Sequence, residues 1–183
     1  IAIVQQGGVI AYSTETILGL GCDPNNRRAV ERLLWLKQRS INKGLVILVA
    51  SVDALKEHSQ PLSPSQYAKI TSRLQKAPTT WVLPAHRSTP IWIMGDHKHI
   101  AIRITQHTIA NKLCASTGAI VSTSANYSDY PTAINSQQLR EWFGPYLDYV
   151  IIGAPGTGVP SEIRDLVSGK ILRQTSKSHG AKR

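Results

Sequence analysis

Two cations stand where the sequence pattern of a helix favours apolar side chains. Lys37 lies seven residues after Val30 and therefore falls on the apolar face of a predicted helix, near its C-terminal end. Arg39 follows in the turn that leads to the next predicted strand. A lysine here can extend its ammonium group to solvent and complement the helix dipole. Alternatively, the two cations can neutralise a polyphosphate, and these residues alone leave both interpretations open.

Polar side chains also interrupt two apolar strands further along the chain. Arg103 lies inside the alternating segment 100–104, opposite a face of isoleucines, so its guanidinium group needs either solvent or an anion. Ser122 and Ser124 share one face at the polar end of another strand, and Asn126 follows them. Ordinary turn chemistry also explains such groups. Both segments are nevertheless candidate ligand-binding positions.

Other motifs give weaker signals. The segment GAPGTG at 153–158 lacks the lysine and the spacing of a P-loop, although its glycines allow backbone amides to approach a phosphate. His97 and His99 have no further ligands at a metal-binding spacing, so no zinc site is predicted. Cys22 and Cys114 belong to no metal or redox motif and are predicted to be free, buried thiols.

The overall composition narrows the class of protein. The chain has 183 residues, a formal net charge of +10 and a pI near 9.9. This balance favours anionic partners such as the phosphates of a nucleotide or of RNA. No apolar run approaches the ~20 residues that cross a bilayer, and no signal-peptide pattern opens the sequence. We therefore expect a cytoplasmic protein without a membrane partner.

The ends of the chain carry two further expectations. The sequence begins at Ile1, in a segment that reads like the end of a helix, so we expect the N-terminus to be trimmed. Residues 175–183 have no apolar pattern and are predicted to form a disordered tail. Residues 1–174 then form one folded domain, which suits their length.

Short strands and helices must position these residues. Strands are predicted at 9–13, 45–51, 80–84, 100–104, 119–124 and 149–153, followed by a hairpin that turns at Ser168 and Gly169. Helices are predicted after Asn25 or Asn26, at 65–76, at 108–116, and from a cap at Ser136 to Gly144. Because the two kinds of element do not alternate strictly, we predict a mixed α/β (α+β) domain. Its twisted mixed sheet is flanked by helices and presents an open, concave, basic surface.

Seven segments, in order along the chain, resemble the motifs of the YrdC/TsaC family. They are AYSTETILGLGCDP (11–24), LKQRSINKGLVILVAS (36–51), TTWVLPA (79–85), IAIRIT (100–105), VSTSANYS (121–128), PSEIRD (160–165) and ILRQ (171–174). Each motif is short, but their shared order argues against coincidence. The resemblance is to the short bacterial form and makes 1–174 a YrdC-like catalytic domain. Ser13 and Thr175 replace a usual proline and glycine, which removes no charged or hydrogen-bonding group.

The resemblance implies threonylcarbamoyl-AMP synthase activity, the first step of threonylcarbamoyladenosine modification of transfer RNA. L-threonine, bicarbonate or carbon dioxide, and ATP give threonylcarbamoyl-adenylate and pyrophosphate. Lys37 and Arg39 would be catalytic, holding the triphosphate and stabilising the departing pyrophosphate. Thr14 and Arg103 would bind threonine. The remaining nucleotide-binding residues would be Ser122, Ser124, Asn126, Ser161 and Arg173.

The resemblance also sets expectations about cofactors and partners. Mg²⁺ is expected with ATP and would be held by phosphates and water, because the sequence shows no dedicated carboxylate cluster. A downstream threonylcarbamoyl-transferase machinery would take up the product. The alternative is a non-enzymatic RNA-binding protein that uses its positive charge on double-stranded RNA, transfer RNA or ribosomal RNA. Such binding weakens steeply with salt and needs no threonine.

Overall fold

The computed structural model describes residues 1–74, 76–154 and 156–175. The strands are β1 Ile10–Tyr12, β2 Gly19–Gly21, β3 Val46–Val49, β4 Thr79–Pro84, β5 His99–Ile104, β6 Ile120–Ser124, β7 Tyr149–Ile151, β8 Glu162–Asp165 and β9 Ile171–Arg173. The helices are α1 Ala2–Gln5, α2 Arg27–Leu36, α3 Pro64–Leu74, α4 Ile91–Met94, α5 Thr108–Thr117 and α6 Ser136–Phe143. Single 3₁₀ turns lie at Ile41–Lys43, Asp53–Glu57 and Gly144–Tyr146.

The strands form one mixed sheet in the order β7-β1-β2-β6-β3-β5-β4-β8-β9. Its central strand, β3, is parallel to β5 and antiparallel to β6. Ile47, Leu48 and Val49 of this strand are all buried. A strand covered on both faces needs apolar side chains in both directions, and its sequence VILV provides them. The predicted mixed sheet and its doubly buried strand are confirmed.

The two faces of the sheet are covered unequally. One face packs against α2, α3 and α6 through residues such as Leu33, Ile70 and Phe143. The opposite face packs against α1 and α5 in a smaller core that includes Val4 and Leu113. Because these two helices cover only one end of their face, the rest of that face is left as an open cleft.

Helix ends mostly follow the predicted signals. The Asn26 side chain accepts a hydrogen bond from the Ala29 amide at 3.1 Å and caps α2. Gly118, with a φ of +83°, follows the last residue of α5. The predicted cap of α6 is wrong by one residue, because Asn135 has the extended backbone of a cap and accepts from the Gln138 amide at 2.9 Å. Ser136 is the first residue inside that helix.

Strand β2 has no counterpart among the predicted elements. Its sequence, GLG, has low β propensity, since glycine offers no side chain to pack. Glycine is nevertheless required at one position, because a Cβ on Gly21 would lie 2.4 Å from the Val121 carbonyl oxygen on β6. Strand β2 therefore forms where two backbones approach closely, and the periodicity of a single sequence does not reveal such a contact.

Two further expectations concern the C-terminal tail and the absence of a membrane-spanning segment. Of the tail predicted at 175–183, residues 176–183 lie outside the described residues. Among the helices of the described ranges, none is long and apolar enough to cross a bilayer.

Candidate active site

A cleft of about 460 Å³ opens on the partly covered face of the sheet. Four register neighbours, Ser122 of β6, Val46 of β3, Ala101 of β5 and Val82 of β4, contribute to its lining. These side chains are small, so they leave room for a ligand above the sheet.

Most of the predicted site residues meet in this cleft. Four cationic side chains line it, and within the described part of the chain no carboxylate does. Such a lining attracts anions, because no acidic group inside the cleft neutralises the cations. The predicted residues in the lining are Thr14, Arg39, Arg103, Ser122, Ser124, Ser161 and Arg173, whereas Lys37 and Asn126 lie outside it.

The end of α2 sends Lys37 and Arg39 in different directions. Gln38, between them, has a left-handed φ of +51°. Its amide donates to the Trp35 carbonyl at 2.9 Å, and the Arg39 amide donates to the Leu34 carbonyl at 2.9 Å. This is a Schellman helix end with glutamine at the position that glycine usually occupies. The reversal leaves Lys37 inside the protein and brings Arg39 into the cleft lining.

Lys37 is almost completely buried, with 2% of its surface exposed. Its ammonium group donates to the Ser124 carbonyl, to the Asn126 carbonyl at 2.7 Å and to Asn126 Oδ1 at 3.3 Å. Burial, reinforced by the nearby charge of Arg39, lowers the pKa of Lys37 to about 7. Lys37 is therefore not directed to solvent. It ties the end of α2 to the segment that follows β6.

Arg39 lies at the end of the cleft formed by the Ile41–Lys43 turn and the start of β3. Its Nη2 donates to the Gly44 carbonyl at 2.9 Å, while its buried Nε has no partner among the described residues. Burial lowers the pKa of Arg39, an effect that Asp129 partly offsets. A buried guanidinium group with an unpaired donor is costly unless an anion completes its hydrogen bonds.

Arg103 lies towards the other end of the cleft. Arg39 bonds to Gly44, which by the register of β3 and β5 is level with His99, and His99 is four residues before Arg103 on β5. The Arg103 side chain is 7% exposed. Its Nη1 donates to Thr16 Oγ1 at 3.3 Å. Its Nε lies 3.6 Å from Glu15 Oε1, which is an ion pair but too long for a hydrogen bond. This buried Nε has no hydrogen-bond partner within the described part of the chain. The cleft thus has a second incompletely paired guanidinium group.

The Thr14–Ile17 turn fixes the orientation of Arg103. Thr14 Oγ1 donates to the Ile17 carbonyl at 2.7 Å, and Thr16 Oγ1 lies 3.0 Å from Thr14 Oγ1. Since Thr14 has one hydroxyl proton, Thr16 donates to Thr14 and accepts from Arg103. Glu15 is held by the Thr105 hydroxyl, which donates to Oε2 at 2.9 Å. The Thr14 hydroxyl is therefore occupied inside its own turn.

The glycine-rich segment 153–158 supports this turn from outside. The amides of Thr157 and Gly158 donate to the carbonyls of Glu15 and Thr16 at 3.1 and 2.7 Å. A Cβ on Gly156 would lie 2.5 Å from two carbonyl oxygens of the turn. The expectation that this segment offers its amides to a phosphate is therefore corrected for Thr157 and Gly158, because the backbone of the turn already uses both.

The last two predicted residues form a wall of the cleft. Ser161 Oγ lies 2.8 Å from Thr80 Oγ1, and Arg173 Nη2 donates to the Ser161 carbonyl at 2.9 Å. Burial, together with the like charge of Arg103, lowers the pKa of Arg173. Two arginines that repel each other in one cleft gain stability when an anion binds between them.

Several residues in the lining were not predicted. Lys43, Thr16, His97 and His99 all line the cleft. Lys43 stands only four residues after Arg39 in the sequence, and this closeness to another cation was a usable signal. His97 carries no such signal, because its place depends on how the 94–97 segment packs against Gly44. His99 is the first residue of β5.

The described residues show neither a dedicated protein metal site nor an activated thiol. Within the described ranges, no group of three or more His, Cys, Asp or Glu side chains is arranged to hold a metal ion. Cys22 and Cys114 are free and buried, as predicted. Burial raises the pKa of each thiol to about 12, so neither is a thiolate nucleophile at neutral pH.

The fold and the cleft define a mixed-sheet protein with a cation-lined site for small anions. A family model described as "Telomere recombination", that of the Sua5, YciO and YrdC proteins, matches residues 2–175. The threonylcarbamoyl-AMP synthase of Nitrosococcus oceani is 44% identical over 176 residues, which cover 93% of each chain. The chain belongs to the Sua5/YciO/YrdC family, which confirms the resemblance seen in the sequence.

Solved structures agree on the fold. The crystal structure of P. abyssi Sua5 complexed with L-threonine superposes with a TM-score of 0.87 at 29% identity. The superposition covers 95% of this chain and 52% of the Sua5 chain, so this chain spans about half of that protein. E. coli YciO superposes with a TM-score of 0.84 at 21% identity, over 97% of this chain and 87% of the YciO chain. At this identity, the likeness supports the fold alone.

Proposed function

We propose that this chain is a threonylcarbamoyl-AMP synthase, which converts L-threonine, bicarbonate and ATP into threonylcarbamoyl-adenylate and pyrophosphate. The observation that carries the proposal is the pair of largely buried guanidinium groups, Arg39 and Arg103, in one cleft, where neither Nε has a hydrogen-bond partner among the described residues. Two anions satisfy such a pair, a phosphate chain at one end and a carboxylate at the other. Family membership supports the same activity, since the curated relatives bear this name.

At one end of the cleft, Arg103 pairs with the threonine carboxylate. Its hydrogen bond to Thr16, and the Glu15 carboxylate beside Nε, orient the guanidinium group before the substrate arrives. Such pre-organisation reduces the ordering cost of binding. Thr14 belongs to the threonine site through the turn that it holds. The L-threonine complex of P. abyssi Sua5 supports an amino-acid site in this fold.

At the other end, Arg39 binds the triphosphate and stabilises the charge that develops on the departing pyrophosphate. Ser122, Ser124, Ser161 and Arg173 line the same cleft. In this proposal they bind the rest of the nucleotide. Lys37 and Asn126 act from behind the lining, where the Lys37 ammonium group donates to Asn126 and to the Ser124 carbonyl and so holds the end of β6. A direct contact of either with phosphate stays a prediction.

The chemistry requires no covalent enzyme intermediate. Bicarbonate takes up a proton and loses water to give carbon dioxide; the amine of threonine adds to this carbon dioxide and loses a proton, forming a carbamate. A carbamate oxygen then attacks the α-phosphorus of ATP. The bond from that phosphorus to the bridging oxygen breaks, and pyrophosphate leaves with its electron pair. The protein therefore contributes positioning and charge stabilisation, and a carbamate that is labile in water benefits from a sheltered cleft.

Mg²⁺ fits this site only as a companion of the nucleotide. No carboxylate from the described ranges lines the cleft, so the ion's ligands would be phosphate oxygens and water. Bound there, it would neutralise charge on the phosphate chain.

The product has a defined chemical destination. A mixed anhydride of a carbamate and a phosphate is an activated acyl donor, so a transferase must take it up before water does. We propose that other proteins transfer the threonylcarbamoyl group to transfer RNA, in the cytoplasm where ATP and transfer RNA meet.

The proposal is tested by measuring pyrophosphate release from ATP by the purified protein. Release should require both threonine and bicarbonate, and the adenylate should be detected by mass spectrometry. Release that ignores threonine would contradict the proposal.

The RNA-binding alternative has a separate signature. Salt-sensitive binding to transfer RNA or double-stranded RNA, with no pyrophosphate release under any condition, would favour it. RNA binding alone requires neither buried arginine, so the cleft supports the enzyme.

A further inference from the structure

An acidic side chain outside the cleft lies beside two of its cations. Asp129 Oδ2 is 3.9 Å from Lys43 Nζ. Its charge also acts on Arg39, whose pKa it raises against the effect of burial. Lys43 and Arg39 line the cleft, whereas Asp129 does not. Of the carboxylates in the described ranges, Asp129 is the one that pairs with a cation at this end.

The backbone holds Asp129 in this position. The Tyr130 amide donates to the Tyr127 carbonyl at 3.1 Å and closes a tight turn in which Asp129 has a left-handed φ of +66°. Asn126 Nδ2 donates to the carbonyls of Tyr127 and Tyr130 at 2.7 and 2.8 Å. Asp and Asn tolerate this conformation better than most residues do. The carboxylate is thus presented by a fixed turn.

The backbone also fixes the position of Lys43. It ends a 3₁₀ turn that begins after Ser40, whose side chain accepts from the Asn42 amide at 3.3 Å. The next residue, Gly44, provides the carbonyl that accepts from Arg39. Lys43 and Arg39 therefore belong to one structural unit at the phosphate end, and Asp129 faces that unit from the segment that follows β6.

We propose that Lys43 is a further polyphosphate-binding residue and that Asp129 is its counter-ion, which a phosphate chain must displace. This inference rests on the proposed function for the identity of the phosphates, ATP entering and pyrophosphate leaving. A carboxylate at this position offsets the field of both cations and lowers the affinity of the cleft for polyphosphates. It thereby limits retention of the product pyrophosphate, at the expense of some affinity for ATP.

The expected effect is small, because the pair is exposed. The Lys43 and Asp129 side chains are 51% and 87% exposed, and ion pairs of this kind change an equilibrium by about two- to fivefold. Inorganic tripolyphosphate is the probe, and its affinity is measured by calorimetry without threonine or bicarbonate. Asp129→Asn should bind it about two- to fivefold more tightly, and Lys43→Gln more weakly by a similar factor.

The double variant isolates the pair. In the Lys43→Gln background, Asp129→Asn should gain less than half as much as it gains alone, with the remainder due to Arg39. Strictly additive changes would overturn the proposal. The gain should also shrink at about 0.5 M salt, where exposed charges are screened.

Asp53 offers a matched control. It is 86% exposed and pairs with Lys56 at 3.0 Å on a 3₁₀ turn that does not line the cleft. Asp53→Asn makes the same change in net charge, so it should leave tripolyphosphate binding within error of the unchanged protein. If it tightens binding as much as Asp129→Asn does, overall charge explains the effect and the proposal is wrong.

A kinetic measurement separates this inference from the function on which it rests. In the pyrophosphate-release assay, Asp129→Asn should be inhibited by added pyrophosphate at about two- to fivefold lower concentration. If no threonine-dependent release exists, the proposed function fails while the binding cycle still decides the pair. If release is normal but neither tripolyphosphate binding nor pyrophosphate inhibition changes, the proposal for Lys43 and Asp129 is wrong while the proposed function stands.

Discussion

The two ends of the cleft are built from different partners. At the Arg39 end, the cations bond mainly to backbone carbonyls, those of Gly44, Ser124 and Asn126. At the Arg103 end, the partners are side chains, the Thr16 hydroxyl and the Glu15 carboxylate. Carbonyl partners depend on the path of the chain, whereas side-chain partners change with single substitutions. The first end is thus fixed by the fold, and the second is adjustable residue by residue.

This difference assigns different consequences to substitutions at each end. In the proposed mechanism the bond to pyrophosphate breaks at the Arg39 end, so loss of a cation there should lower the rate of reaction. Change at the Arg103 end should act on the binding of one substrate. Four experiments, from the largest expected effect to the smallest, test whether the two ends are separable in this way.

Replacing Arg39 with alanine should have the largest effect. We expect adenylate formation to fall by at least about a hundredfold, because the role proposed for the guanidinium group is to stabilise charge on the departing pyrophosphate. The melting temperature should remain near that of the unchanged protein. Arg28→Ala, on the exposed surface of α2, removes the same charge and should leave the rate intact. Near-normal turnover of Arg39→Ala would remove Arg39 from the mechanism.

Arg103→Lys tests the adjustable end. Lysine keeps the charge but loses the planar fork that binds a carboxylate with two hydrogen bonds. We expect the KM for threonine to rise by about tenfold or more, and the KM for ATP to change by less than about twofold. Arg140→Lys, exposed on α6, is the matched control. Equal changes in both KM values would show that the two ends are not separable.

The pKa of Lys37 gives a smaller effect, measurable as protons. Its value of about 7 leaves much of the amine neutral at pH 7.5. A phosphate chain bound nearby favours the charged form and raises this pKa, so binding should take up part of a proton at pH 7.5 and almost none at pH 5.5. Calorimetry with tripolyphosphate in two buffers of different ionisation enthalpy measures this uptake.

Lys37→Met keeps the buried stem and removes the titrating group. Because tripolyphosphate itself titrates in this range, the informative quantity is the difference between the unchanged protein and this variant. Equal uptake by the two would mean that Lys37 stays in one charge state, and its charge would then make no variable contribution to the phosphate end.

Periodicity predicted the strands that carry the site, because burial leaves a strong trace in sequence. The isoleucines of β5 identified Arg103 as the residue facing the other way, and the structure has it in the cleft. Short motifs in order then identified the family. Backbone geometry was harder to predict. Strand β2 and the use of two amides of segment 153–158 both depend on close contacts between distant parts of the chain.

Lys37 shows the same limit for a side chain. Its place on the apolar face of α2 was visible in the sequence, but its burial and three acceptors depend on the segment after β6. Asp129 was not singled out at all, because an exposed acidic residue in a polar turn carries no periodic signal. Its significance comes from the cation that the fold brings within 3.9 Å.

Gln38 offers the smallest and most specific test of the fold-determined end. Its left-handed φ is a conformation that glycine adopts without strain. Gln38→Gly should raise the free energy of unfolding by up to about 1 kcal/mol, since relief of strain exceeds the added entropy of the unfolded chain. Gln38→Val should lower it by about 1–2 kcal/mol, because a β-branched side chain is poorly tolerated there. Urea unfolding measures both.

Activity of the same two variants links the turn to the chemistry. Gln38→Gly should retain pyrophosphate release within about twofold, because the reversal that separates Lys37 from Arg39 is preserved. Gln38→Val should lose activity at temperatures where it is still folded, since any shift of the turn moves Arg39 relative to Gly44. If the valine variant is folded and fully active, the path of the chain does not fix the phosphate end, and the contrast between the two ends fails.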